Sequence, residues 1–421
     1  MKLSQVFFAV ATLVYCNTLC AEDVARFRGV ASQGKYNETG LLKSWPEGGL
    51  TPIWVNNEIG EGWGSVVKIK DRLYLTCSDP DDQKKESVLC LDIDGKKIWQ
   101  RQTGSVWNGS YPSPRVTPTY VAGENDADAR LLVLCGSGDL YCLAASDGEI
   151  LWNKEIAKIY ETRFGGWGMA EAVVVKDGIV FVTSCGKKAL AVALKVADGE
   201  VVWESPAIDD GGAYVTPIIH DDQLVVMTQK FVTVLDVKTG KHLWSDNYAK
   251  SSSVAGRGGI ICVTPVLKGN QFFVSGGYDQ GGVMYEILPD GKGLEVRWAS
   301  KVLDTHHGGV VEHDGKIYGS NWLNNGAGNW VCLDWNTGET VYEKPWERLG
   351  KGAIVLADDM LYVYEERRGT LGLLKPGDDF EVVSSFIIDF GTKEHWSHPV
   401  VSNGILYVRH GNALAAFEIK Q

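Results

Sequence analysis

The chain has 421 residues with 44% hydrophobic and 22% charged side chains, an ordinary globular composition that excludes a disordered or collagen-like chain. Its formal net charge of −12, from 41 basic against 53 acidic residues, removes the counterion-release term behind nucleic-acid binding and disfavours anionic membrane surfaces, so neither is an expected partner. The 49 glycines and 15 tryptophans against 13 prolines favour many short strands joined by tight turns over long helices.

At the N-terminus, Lys2 supplies positive charge, Val6 to Tyr15 an apolar run, and Ala21 a small residue before Glu22-Asp23. This is the pattern of a secretory signal peptide over residues 1–21, and it predicts an exported protein, periplasmic or secreted. A membrane anchor is the alternative, but the run is short of the ~20 residues needed to span a bilayer. Tyr15 and Leu19, standing before Cys16 and Cys20, are not the small residues of a lipid-anchor signal. No later segment is long and apolar enough to span.

Residues 22–50 read as an N-terminal arm, and residues 51–421 as repeats, which decide the fold. One phrase, an apolar strand, a Gly turn and a strand ending in Trp, occurs as 88–99, 140–152, 191–203 and 232–244, more loosely through Pro289-Asp-Gly to Trp298, and as 330–342. The copy from Thr370 to Phe386 is degenerate. A second phrase, two strands around a polar turn such as Asn403-Gly404, precedes each of these, beginning near Val66, Pro114, Ala172, Pro217, Pro265, Gly309, Ala353 and Pro399. Together they give four strands per unit at a Trp-to-Trp spacing of 41 to 54 residues, the period of a propeller blade. The last unit, from His395, holds three strands, while Pro52-Ile-Trp-Val55 stands alone at the start. The lone strand is expected to complete the last blade and remove an open edge. The predicted fold is therefore an all-β, eight-bladed β-propeller of four-stranded antiparallel blades closed by its N- and C-terminal strands, with seven blades as the alternative.

With these repeats, and with the opening phrases Phe27-Arg-Gly29, Thr39-Gly-Leu41 and Trp45-Pro46, the chain resembles the propeller family whose repeats are like those of pyrroloquinoline quinone (PQQ) dehydrogenases. The resemblance covers essentially all of residues 22–421. It implies the fold but not the function, because the family contains PQQ enzymes, the non-enzymatic outer-membrane assembly propeller and secreted members of no settled role. The enzymes hold the quinone and a divalent cation with a Glu, Asn and Asp constellation, and no phrase here matches it. Their adjacent Cys-Cys pair and long inserted loops are also missing. No resident cofactor is expected, with PQQ and a divalent cation as the alternative.

The repeat tryptophans, Trp54, Trp99, Trp152, Trp203, Trp244 and Trp298, share one structural position and are read as packing groups that dock on the neighbouring blade. Seven cysteines lie beyond residue 21, and Cys90, Cys142 and Cys332 occupy the slot held elsewhere by Ala193, Val234, Gly372 and Ala416. They read as small core residues. Bridges Cys77–Cys90 or Cys135–Cys142 stay open.

Residues opening each innermost strand should face the axial channel. Aligned on His398 stand Gly64, Ser113, Ala170, Thr216, Thr264, Gly308 and Gly352, and aligned on Trp396 stand Gly62, Tyr111, Gly168, Tyr214, Cys262, His306 and Gly350. Small residues leave room on the axis, and an aromatic funnel of Trp63, Tyr111, Trp167, Tyr214, His306, His307, His395, Trp396 and His398 is expected above them. No metal site is expected: in extended chain the adjacent His306 and His307 would face apart, and His395 and His398, which have better reach, have no carboxylate within their phrase except Glu394. Glu61 and Glu171 are candidates for a glycosidase pair. No catalytic residue is assigned. The expected function is a monomeric, non-enzymatic binding or scaffold module, acting on a protein, small-molecule or carbohydrate ligand through the funnel or the blade edges. The alternatives are a PQQ-dependent oxidoreductase of alcohols or sugars, and carbohydrate or polymer recognition.

Overall fold

A computed structural model of the chain describes residues 23–252, 259–289 and 293–421. The signal peptide read over residues 1–21 and the Asp290-Gly291 turn lie outside them. Among the described residues are eight sheets of at least four strands each, and within each repeat neighbouring strands pair antiparallel. In the first blade Val67–Ile69, Arg72–Ser78, Lys85–Asp92 and Lys97–Ser105 follow one another outward from the axis. The eighth blade runs Val400–Ser402, Ile405–His410, Ala413–Glu418, and its outer strand is Trp54–Asn56 from the start of the chain. Trp54 lies opposite Ala416 in that pairing, so the lone strand closes the ring as its sequence suggested.

One interaction recurs between neighbouring blades. In the outer strands Trp99, Trp152, Trp203 and Trp244 stand opposite Cys90, Cys142, Ala193 and Val234, each beside a bulge that tilts the ring toward the next blade. The rings of Trp99, Trp152 and Trp203 then lie on the turn glycines Gly148, Gly199 and Gly240. A Cβ added to Gly240, at φ +68°, would sit 2.4 Å from the Trp203 ring, and one added to Gly338 2.5 Å from Trp298. The indole N–H of Trp203 donates to the Val237 carbonyl of that turn at 2.8 Å and the indole N–H of Trp298 to the Trp335 carbonyl at 3.0 Å, whereas those of Trp99 and Trp244 are buried without a hydrogen-bond partner. A turn residue at positive φ favours glycine for its backbone, and here the same glycine provides the flat seat for the indole. Trp54 makes this contact from the eighth blade to the first, against Gly95 and the Ile93 carbonyl.

The core is eight fans of Val, Leu, Ile and small residues packed face to face. All seven described cysteines are free, and all but Cys262 are buried, so neither candidate bridge forms.

The N-terminal arm straps the exit ends of the innermost strands. Val24 exchanges backbone hydrogen bonds with Lys68 of the first blade, and Ala25 accepts from Tyr120 of the second. Gln33 accepts from Leu267 of the fifth blade, Lys35 pairs with Glu312 of the sixth, and Lys35–Tyr36 adds a parallel strand beside Gly352–Ala357 of the seventh. From this strap Arg28 enters the axial channel. Its guanidinium donates to the carbonyls of Ile354 (3.1 Å) and Val310 (2.5 Å) and contacts His398 Nδ1 at 2.8 Å. Gly34 and Gly309 make this approach possible: a Cβ on either would stand 2.2 Å from a guanidinium nitrogen. The channel is thereby closed at one end.

Candidate functional site

At the opposite end the channel opens as a cavity of about 280 Å³ floored by Phe27 and His398. Its wall is built by the segments that lead into the innermost strands, where the chain is free of the sheet ladder. Tyr111, Trp63 and Trp396 form one cluster, with ring centroids 4.9 Å (Tyr111–Trp396) and 5.1 Å (Trp63–Trp396) apart. The wall continues through Trp396–His307 (5.0 Å), His307–His306 (4.2 Å) and His306–Tyr278 (5.0 Å). Trp167 and Tyr214 stand edge to face at 5.6 Å on another stretch. Arg115 lies 5.4 Å over the Trp63 ring and donates to the Tyr111 carbonyl. Tyr111 and Tyr278 both hold φ of +56°, a backbone region costly for a bulky side chain and found where a site over-determines it.

Of the nine predicted funnel residues, Trp63, Tyr111, Trp167, Tyr214, His306, His307, Trp396 and His398 line the cavity; His395 does not. The His395 ring stacks on His410 at 3.7 Å and is held down by Gly369, where a Cβ would meet it at 2.4 Å. Burial and His410 together push it down to about 4. It cannot join His398, whose Nδ1 meets Arg28 and whose Nε2 meets the His307 carbonyl at 2.9 Å. The expectation that His306 and His307 face apart also fails. Residues 304–309 are a loop with a turn at His307-Gly308 and φ +72° at Gly309, not a strand, so the alternation rule does not apply.

These two imidazoles meet a group that the repeats did not mark. Glu366, just after the strand Met360–Glu365, brings Oε2 to 3.2 Å from His307 Nε2, while Oε1 is held by the buried ammonium of Lys351. Burial pushes the Glu366 carboxyl up to about 7 against the pull of Lys351, and pushes His307 down to about 3 and His306 well below the usual range. Both rings are neutral at physiological pH. Cys262 also lines the cavity, but burial pushes its thiol up to about 12, which removes the thiolate a nucleophile needs.

Glu366 is the only carboxylate lining the cavity among the described residues. Glu61 accepts from Thr392, and Glu171 is buried on the Thr183 amide, so these two do not form a pair across a ligand. Arg115, Tyr278, Asn325 and Phe27 were also missed. Arg115 had one sequence signal, its place in the segment entering the second blade.

Two curated relatives resemble the chain in sequence. A polyvinylalcohol dehydrogenase of a Pseudomonas species is 25% identical over 279 residues, 58% of this chain and 43% of that protein. The outer membrane protein assembly factor BamB of Yersinia pestis is 23% identical over 225 residues, 52% of this chain and 53% of that protein. The chain thus spans about half the length of the curated relatives it matches. Among solved structures, quinohemoprotein alcohol dehydrogenase from Comamonas testosteroni superposes with a TM-score of 0.61 at 11% identity, covering 95% of this chain and 81% of that one, a likeness of fold alone. Residues 84–342, more than half of the chain, match the family described as outer membrane protein assembly factor BamB, and the chain belongs to this BamB-like family of PQQ-repeat β-propellers.

Proposed function

We propose that the protein is an exported binding module whose axial funnel captures a small ligand with a flat, largely apolar ring face, such as a sugar ring. The observation that carries this reading is the dead-ended aromatic cavity. About 280 Å³ walled by Trp63, Tyr111, Trp396, Trp167 and Tyr214 and closed beneath by Phe27 and Arg28 is near the lower end of small-ligand pockets. Rings offer stacking faces without fixing hydrogen-bond pattern, and Arg115 with Asn325 supplies a few polar contacts. The absence of a second lining carboxylate among the described residues weighs against two-carboxylate glycoside cleavage.

The oxidoreductase reading draws support from the polyvinylalcohol dehydrogenase that the chain resembles in sequence. A quinone held through a calcium-type ion needs about six to eight oxygen donors with several carboxylates among them, whereas the lining offers a single carboxylate, one oxygen of which Lys351 holds, with the Asn325 amide and threonine hydroxyls beside two imidazoles. These residues do not fit that group. Scaffold action at the blade edges, as the name of BamB suggests for that protein, is the second reading.

A thermal-shift and tryptophan-fluorescence screen tests the proposal, using mono- and disaccharides, polyols and aromatic acids, with a parallel dye-linked oxidation assay in PQQ and calcium. Saturable binding of a ring ligand without turnover is the expected result. Turnover of an alcohol or sugar that depends on PQQ would overturn it.

A further inference from the structure

We propose that His306, His307 and Glu366 form a site for a divalent transition-metal ion of the zinc type on the funnel wall, with one coordination position open to the cavity. This goes beyond the funnel reading and does not depend on it. One donor atom from each residue lies within 4.8 Å of the others. Ligands at bond lengths of about 2.0–2.2 Å around a tetrahedral ion stand roughly 3.3–3.6 Å apart, so side-chain adjustments of about 1 Å would close the set.

The contrast with the other buried histidines carries the argument. His398 and His410 each have a partner on both ring nitrogens. His306 Nδ1 is buried with no hydrogen-bond partner, His307 Nε2 meets only the Glu366 carboxylate at 3.2 Å and outside hydrogen-bond geometry, and both belong to the same convergent group as Glu366. An unpaired buried acceptor is costly unless something occupies it. The outer contacts have the form metal ligands use. His306 Nε2 lies 2.9 Å from the Tyr278 hydroxyl, which can accept its proton and leave Nδ1 as the lone pair. Lys351 grips one Glu366 oxygen and leaves the other toward His307. The Tyr278 loop is fixed by the Asp304 carboxylate, which accepts from the amides of Asp279, Gln280 and Gly281 at 2.7–3.1 Å.

Two imidazoles and one carboxylate select an ion that favours nitrogen over the hard cations calcium and magnesium. All three residues line the cavity, so the open position would take an oxygen donor from a bound ligand or water. The Lys351 charge opposes the ion, and the buried Glu365 carboxylate, held by the amides of Gly350, Arg367 and Arg368, lies beside Glu366 in the chain and supplies negative field.

The test uses the full chain stripped with a chelator, titrated with zinc chloride by calorimetry and with cobalt(II) by visible absorption. One equivalent should bind, with cobalt giving the strong bands of a low-coordinate N/O site. His307→Ala and Glu366→Gln should each weaken binding roughly 100-fold or more, and Tyr278→Phe, which touches no donor atom of the ion, about 10-fold. Thermal melts of each metal-free variant establish folding. If Glu366→Gln fails to fold, the Tyr278→Phe comparison decides. Absence of stoichiometric uptake, or uptake that the folded variants leave unchanged, overturns the proposal.

Discussion

Arg28 is a charge placed where water cannot follow, and its guanidinium has replaced solvent with three carbonyls and one imidazole nitrogen. Burial pushes it down to about 10, still cationic at neutral pH. Arg28→Met would leave those acceptors unpaired, and urea melts should show a loss of about 3 kcal/mol or more; a change under about 1 kcal/mol would contradict the plug. Glu171 offers a second test at this scale, because burial pushes its carboxyl up to about 8. A carboxyl that holds its proton more tightly when folded contributes stability below its unfolded pKa of about 4.5, and that contribution is lost as pH rises through about 8. Relative to wild type, Glu171→Gln should therefore become steadily more stable between pH 5 and pH 8, and a gap independent of pH would refute the assignment. The aromatic wall was legible because Tyr111, Tyr214, His306 and Trp396 occupy one repeat position. Glu366 and Tyr278 were not, since each leaves the repeat frame: Glu366 follows a strand of the degenerate seventh blade, and Tyr278 sits in a loop at positive φ.

The indole-on-glycine contact explains why the repeating Trp and the turn Gly recur together. Trp203 is the most deeply set case, buried and hydrogen-bonded to Val237. Trp203→Ala should cost about 3–5 kcal/mol, the range for deleting a buried aromatic, and a urea-melt change below about 1 kcal/mol would sink the docking role. Gly240→Ala should also destabilise, through positive φ and overlap with the same ring. Strands of this kind could be read from the sequence because alternation and turn chemistry are local. The two-residue strand Lys35–Tyr36 could not, because its parallel partner Leu356-Ala357 lies more than 300 residues away and leaves no local pattern.

The whole molecule is a ring fastened twice by the same N-terminal stretch. Trp54–Asn56 completes the eighth blade, and the arm ahead of it spans the exit ends of several blades while Arg28 and Phe27 close the axis. Removing residues 22–56 should expose the edge of Ala413–Glu418 and open the floor of the funnel, with aggregation in light scattering; a monomeric product with an unchanged melting temperature would contradict the closure. The ring could be counted from the sequence, whereas the closed floor required the path of the arm. That floor turns a channel into a pocket. The most direct measurement compares wild type with Trp63→Ala/His306→Ala/Trp396→Ala for binding of whichever saccharide, polyol or aromatic acid the wild type captures, by fluorescence and calorimetry. One saturable site is expected in the wild type, weakened by at least about 10-fold in the variant, the factor that ~1.4 kcal/mol of lost contact gives, with the variant still folded at the assay temperature although loss of the buried Trp63 ring lowers its melting temperature. Equal capture by both proteins, or none by the wild type across the panel, would contradict it.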